Sequence, residues 1–246
     1  MTHDLFIRLL MMVFVLMAIG AFACLPLFKW KLTALMRSAL FVKIVWWLPI
    51  FVFLLTILYG GFLVALPVFF FVIGLGVREV VRNDAWKWRS VQLYFLLFTI
   101  CMAHLAVWFL ALPNEIATRA LASVAVVSVM SDVIAFFAGN YFRKHPLPVK
   151  INERKSWEGV AGQIVGAVIG GIVAYYVVHL TIPPILIVLI GVASALGDVI
   201  NSAVKRIVGI KDWGRTIPGH GGVLDRLSSM SLSIAVSFWF IYIAGL

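Results

Sequence analysis

Residues 44–77 read IVWWLPIFVFLLTILYGGFLVALPVFFFVIGLGV, without a single charged side chain. A bilayer hydrocarbon core of roughly 30 Å takes about 20 apolar residues at the helical rise of ~1.5 Å per residue, so this stretch is too long for one crossing. Gly60-Gly61 falls near its middle and offers a turn, because glycine enters tight reversals at little steric cost. Two short-coupled helices are therefore expected here. Working outward, the apolar runs at 5–28, 91–112, 120–137, 159–180 and 227–246 each read as one further span. A last run, from 182 to about 204, opens at Pro183-Pro184, where proline suits a helix start and resists a helix interior. The expectation is an all-α, polytopic integral membrane protein with about eight transmembrane helices.

The placement of Lys and Arg tests that number independently of hydropathy. With a turn at Gly60-Gly61, every basic residue except Arg8 and Arg119 falls in the first, third, fifth or seventh loop, all on one face of the membrane. One helix over 44–77 would put the first basic loop opposite the second, against the tendency of Lys and Arg to stay cytoplasmic. The odd loops are therefore expected in the cytoplasm, at the cell's inner membrane, and both termini outside. Near the N-terminus, Arg8, an apolar run and Ala21-Phe22-Ala23 resemble a cleavable signal, but Leu25-Pro26-Leu27-Phe28 continues the run, so a first transmembrane helix is read instead.

Composition agrees. Apolar residues make up 63% of the 246 and charged residues 12%, against roughly half and a quarter in a soluble domain. The net charge of +10 is dispersed between apolar runs rather than gathered in a basic arm, which suits anionic headgroups or an anionic substrate and not nucleic acid. Cys24 and Cys101 lie in apolar stretches without His or Cys at ligand spacing, so neither a disulfide framework nor a zinc site is suggested. The chain divides into N-terminal membrane helices (1–115) and a catalytic membrane domain with polar loops (116–246).

That second part holds the chemistry. Asp132 lies deep in an apolar segment, and an ionisable group there costs several kcal/mol unless it faces a protein-lined polar site; the alternative is a structural ion pair. Asp198 reads in the same way, nearer the cytoplasmic end. Lys155-Ser156-Trp157-Glu158-Gly159 precedes an apolar helix: either Ser156 caps an anion-binding helix start beside Lys155, or the pentapeptide is an interfacial Trp with an ordinary cap. Ser202-Ala203-Val204-Lys205-Arg206, Lys211-Asp212 and Pro218-Gly219-His220-Gly221-Gly222-Val223-Leu224-Asp225-Arg226 form the densest cluster. Gly219, Gly221 and Gly222 would let backbone approach a phosphate, the cations would neutralise its oxygens, and Asp225 could hold a divalent metal. His220 is a candidate acid, base or hydrogen-bonding residue. No Walker loop, nucleophile elbow or His-Glu-x-x-His helix is present, which leaves metal-assisted chemistry on phosphates as the best reading.

At these residues the sequence resembles the phosphatidate cytidylyltransferases, or CDP-diacylglycerol synthases. Their signature, Ser-x-x-Lys-Arg, four residues, Lys-Asp, then Pro-x-His-Gly-Gly and Asp-Arg-x-Asp, reads from Ser202 through Arg226, and the upstream elements match Asp132–Gly139 and Lys155–Gly159. The resemblance covers the chain from about Ala120 onward. It implies a polytopic helical fold, a homodimer, and transfer of a cytidylyl group from CTP to phosphatidate with release of pyrophosphate. It also implies that Asp198 and Asp225 hold Mg²⁺, with a second cation an option, and that Asp132 lies nearby. Lys205 and Arg226 then join the catalytic set, and Lys155, Ser156, Arg206, Lys211, Asp212, His220, Gly221 and Gly222 bind substrate. The pattern departs at its end, where Ser228 replaces the closing aspartate. A neutral hydroxyl is a weaker ligand for a hard cation than a carboxylate, so three alternatives stay open: weaker activity, a different lipid acceptor, or no catalysis, as in a lipid-binding or transport protein. Another CTP-using enzyme, such as a lipid-alcohol kinase, is the nearest rival reading.

Overall fold

The structure, a computed structural model, describes residues 2–148, 155–219 and 221–245. Helix α1 (His3–Cys24) leads through a 3₁₀ turn (Leu25–Phe28) and the short α2 (Leu32–Met36) to α3 (Ala39–Gly60) and α4 (Phe62–Arg82). Then follow α5 (Arg89–Ala111), α6 (Asn114–Tyr141), α7 (Trp157–Val178), α8 (Pro184–Val208) and α9 (Val223–Ala244). Eight of these, all but α2, are long and apolar enough to cross a membrane, as the sequence leads one to expect. The reversal between α3 and α4 is Gly61 alone, at φ 58° and ψ −142°, a conformation that a Cβ would strain.

Several boundaries differ from the hydropathy reading: α1 ends at Cys24, α3 already starts at Ala39 and α6 runs from Asn114 to Tyr141, and three further differences have a local reason. Helix α4 continues to Arg82 and α8 to Val208, so Arg82, Lys205 and Arg206 occupy last helical turns rather than loops, where cations meet the negative end of the helix dipole. Helix α9 starts at Val223, because the Asp225 carboxylate reaches back to the Gly222 N–H at 2.9 Å and closes the first turn. Ser156 caps α7 by accepting the Gly159 N–H at 3.2 Å.

Packing rests on small residues. In lipid no hydrophobic force drives helices together, so close van der Waals approach has to hold them. Gly162, Gly166 and Gly170 form a stripe along α7 that lies against α6. A Cβ on Gly166 would stand 2.5 Å from the Met130 carbonyl oxygen and 2.8 Å from the Ser131 Cα. Gly197 of α8 meets α9 just as tightly, and its Cβ would collide with the Ser228 carbonyl. Trp108, Leu121, Leu186, Ile190, Leu224 and Ile234 are fully buried between the helices. Leu63, Tyr176 and Ile243 stand exposed on outward faces, a surface that lipid solvates without cost.

Forcing side chains into a packed contact costs about 1–3 kcal/mol. Gly166→Leu is therefore expected to lower the thermal unfolding midpoint of the detergent-solubilised protein by several degrees or to abolish monodisperse expression. Gly20→Leu, at a position with nothing within 4 Å of its Cβ, should leave both unchanged; equal behaviour of the two variants would remove the α6–α7 contact from its packing role.

Candidate active site

Asp132 of α6 draws donors from three other helices. Its Oδ1 accepts from Ser194 of α8 at 3.0 Å and Gln163 of α7 at 3.4 Å, and its Oδ2 accepts from Ser229 of α9 at 2.9 Å. Ser131 beside it donates to the Gln163 carbonyl at 2.8 Å, across the glycine stripe. No Lys or Arg salt-bridges Asp132 among the described residues, so the structural ion pair left open by the sequence is not what compensates it here. Hydroxyl and amide donors take that place, as burial of a charge requires.

Asp198 of α8 sits beside it, close enough to act on Asp132 electrostatically. Its Oδ2 meets the Lys155 ammonium at 3.1 Å and its Oδ1 accepts from Ser228 of α9 at 3.4 Å. Both Lys155 and Asp198 keep 31% of their side-chain surface, which makes Asp198 the accessible carboxylate of the group. Ser228 is buried and also accepts from Asn201 at 3.3 Å. A hydroxyl thus occupies the site where the related signature has a carboxylate.

Asp225 is almost enclosed, with 4% of its side chain exposed. Its Oδ1 pairs with Lys205 at 2.5 Å, and its Oδ2 accepts the N–H of Trp213 at 2.7 Å and of Gly222 at 2.9 Å. Gly221 lies at φ 88°, and a Cβ there would come within 3.0 Å of the same carboxylate. One acid therefore ties the end of α8, the 209–222 loop and the start of α9 into one unit.

Of the other residues singled out by sequence, Arg206 turns to the Ile210 carbonyl at 3.2 Å, and Lys211 and Asp212 are exposed. Arg226 is exposed in the first turn of α9. His220 lies outside the described residues.

The donor set can be weighed against the expected Mg²⁺. Among the described residues no three His, Cys, Asp or Glu side chains gather into a ready-made cage. Mg²⁺ is more usually bound by one or two carboxylates plus substrate phosphates, and Asp198 offers an accessible carboxylate for that arrangement. Position 228, hydrogen-bonded to Asp198, is one helical turn from Asp225 on α9, whose own oxygens are engaged by Lys205, Trp213 and Gly222. The residues fit a cation that arrives with a triphosphate.

The profile of the Cytidylyltransferase family matches residues 2–244. The chain belongs to this family. Relatives include a phosphatidate cytidylyltransferase of Mycobacterium bovis, 43% identical over 119 residues, 47% of this chain and 39% of that protein. One of Mycobacterium leprae is 40% identical over 133 residues, 53% of this chain and 42% of that protein. One of Brucella abortus is 29% identical over 223 residues, 87% of this chain and 78% of that protein. The chain thus spans less than half the length of the mycobacterial relatives it matches. Apolar spans and these relatives together make it an integral membrane member of the family.

Four residues of the site escaped the sequence reading. Glu79 of α4, only 3% exposed, accepts the N–H of Val223 at 2.8 Å, the N–H of Leu224 at 3.1 Å and the Thr216 hydroxyl at 2.6 Å. It thereby seats a negative charge on the positive end of α9. Asn83 donates to the Glu79 carbonyl at 2.8 Å and the Trp213 carbonyl at 2.7 Å. Trp213, buried, donates its indole N–H to Asn201 at 2.7 Å and stacks on Tyr94 at 6.2 Å. The signal for Glu79 was there to be read: it is the only acid between Lys43 and Arg82, an acid inside a segment whose basic neighbours suffice for topology. Asn83, Trp213 and Asn201 carried no such mark.

Leaving buried donors without an acceptor costs about 1–3 kcal/mol each. Glu79→Ala, which orphans two N–H groups and a hydroxyl, is expected to lower the unfolding midpoint clearly and to expose the 209–222 loop to limited proteolysis. An unchanged cleavage pattern would show that Glu79 does not hold the loop.

Proposed function

We propose that this family member transfers the cytidylyl group of CTP to phosphatidate or a related lipid phosphate, forming CDP-diacylglycerol and pyrophosphate. The observation that carries the reading is the pairing of Asp198 with Lys155 and of Asp225 with Lys205, with Asp132 held beside Asp198 by donors from three helices. The family signature runs through the same residues. The active site faces the cytoplasm at the inner membrane, and the working unit is a homodimer among membrane lipids.

An oxygen of the acceptor phosphate attacks the α-phosphorus of CTP. A new P–O bond forms there as the bond to the bridging oxygen of the β-phosphate breaks, and pyrophosphate leaves with that electron pair. The acceptor is already an anion, so no general base and no covalent enzyme intermediate are required; in-line alignment and charge neutralisation carry the step. Asp198 and Asp225 would hold Mg²⁺, which neutralises the triphosphate when bound, and a second cation is compatible with the same cluster. Lys155, Lys205, Arg206, Lys211 and Arg226 hold phosphate oxygens, and Gly221 and Gly222 bring backbone close to them. Ser156 fixes the start of α7, so that Lys155 is presented to Asp198. Asp132 lines the site from the membrane side.

Two rivals stand beside this reading, and Ser228 favours the non-catalytic one. A site with one carboxylate fewer could bind the same substrates without turning them over, or use CTP to phosphorylate a lipid alcohol. Purified protein with CTP, Mg²⁺ and phosphatidate separates these readings. CDP-lipid with pyrophosphate is the expected product pair; CDP with a newly phosphorylated lipid would identify a kinase, and binding without turnover a non-catalytic protein.

Two variants sharpen the assignment. Asp198→Asn is expected to reduce turnover by roughly 10²-fold or more, the scale at which loss of one preorganised electrostatic group is felt; full turnover would take Asp198 out of the mechanism. Ser228→Asp adds a carboxylate next to Asp198 and is expected to lower the Mg²⁺ concentration giving half-maximal rate by several-fold. An unchanged Mg²⁺ dependence would mean that position 228 does not address the cation.

A further inference from the structure

Outside the carboxylate cluster, an open cleft of about 500 Å³ separates the end of α4 from the 210–215 segment, lined by Arg82, Asn83, Lys211, Asp212, Trp213 and Arg215 among others. Three exposed cations face one exposed acid there. None of the three is salt-bridged among the described residues, whereas Lys87, a few residues further on, is paired with Asp84 at 2.6 Å. Loop cations that serve only to orient a membrane protein need no shared concavity; these line one.

The cleft is held in shape. Asn83 donates to the Trp213 carbonyl at 2.7 Å across the cleft and to the Glu79 carbonyl at 2.8 Å on its own wall, so the two walls cannot part without breaking the part-buried Asn83–Trp213 bond. Its floor residue Trp213 passes its own N–H to Asp225 at 2.7 Å. An anion in the cleft would therefore stand one residue away from Asp225. Trp86 and Trp88, 44% and 41% exposed, follow directly after the end of α4, and exposed Trp next to an apolar span marks the headgroup level of a bilayer. Val81, 61% exposed, precedes Arg82 on the last turn of α4, and Ile210 is the apolar residue on the rim of the cleft itself.

We propose that this cleft receives the phosphate headgroup of the acceptor lipid, with Arg82 and Arg215 as its grips. The proposal rests on the cytidylyl-transfer reading and deepens it. Guanidinium forks match phosphate oxygens in pairs, the headgroup-level tryptophans place the cleft where a lipid phosphate lies, and the apolar rim accommodates the start of its acyl chains. A free nucleotide would need none of these last features. Lys211 then spans the cleft and the nucleotide side of the loop, and the Trp213–Asp225 link keeps acceptor and carboxylates in register.

The test uses the full-length protein in mixed micelles, varying phosphatidate at saturating CTP and CTP at saturating phosphatidate. Arg82→Gln/Arg215→Gln is expected to raise the KM for phosphatidate about tenfold while the KM for CTP and kcat stay within twofold of wild type. Lys87→Gln, which alters charge at the same level outside the cleft, should change neither. An unchanged lipid KM in the double variant overturns the proposal, and so does a raised KM for CTP, which would hand the cleft to the nucleotide. If the wild type shows no pyrophosphate release, the cytidylyl-transfer reading fails on its own. The cleft is then read by equilibrium binding of dioctanoyl phosphatidate and of CTP: tenfold weaker lipid binding in the double variant sustains the site, and equal lipid binding ends it. Both arginines are exposed, so an unfolding midpoint matching wild type is expected and separates lost binding from lost fold.

Discussion

A carboxylate withdrawn from water must find donors, and in this bundle the donors come from elsewhere in the chain. Asp225 draws on Lys205 and two backbone N–H groups, Glu79 on the first turn of α9 and on Thr216, and Asp132 on α7, α8 and α9 together. Each acid therefore acts as a fastener between segments that hydropathy alone would leave as independent rods. The polar segment between α8 and α9 owes its shape to this requirement, because Trp213, Thr216 and Gly222 are all tied to one of two buried acids.

These fasteners work only because the helices lie close. Hydroxyl donors such as Ser194 and Ser229 are short, and they reach Asp132 because glycines on α7 and α8 bring backbones nearly into contact. Lipid supplies no hydrophobic drive for helix association, so small-residue packing and interhelical hydrogen bonds share the task. Asp132 is held among four helices in this way, while Asp198 beside it stays accessible next to Lys155.

Much of the site was legible because its chemistry is unusual for its surroundings. Asp132 and Asp198 stand out in apolar text, and the glycine and lysine spacing of 202–226 has no role in topology. Glu79 was legible in principle, as an acid in an otherwise acid-free stretch, but its partners lie well over a hundred residues away, and no local pattern announces a contact of that range. Asn83, Trp213 and Asn201 are polar or aromatic residues at a membrane boundary, where such residues are ordinary. Only the fold distinguishes them from anchors.

Hydropathy and the placement of Lys and Arg determined the helix number, the Gly61 reversal and the shared side of the basic loops, because each span answers separately to the thickness and charge of the bilayer. Those are constraints on single segments, and one sequence contains them. Which acids meet, that Asp225 is engaged by Lys205 and the loop while Asp198 stays accessible, and that Ser228 rests against Asp198 were decided only by tertiary structure. Hydrogen bonds and close glycine contacts between helices depend on rotation and approach about axes that the period of a single helix does not specify.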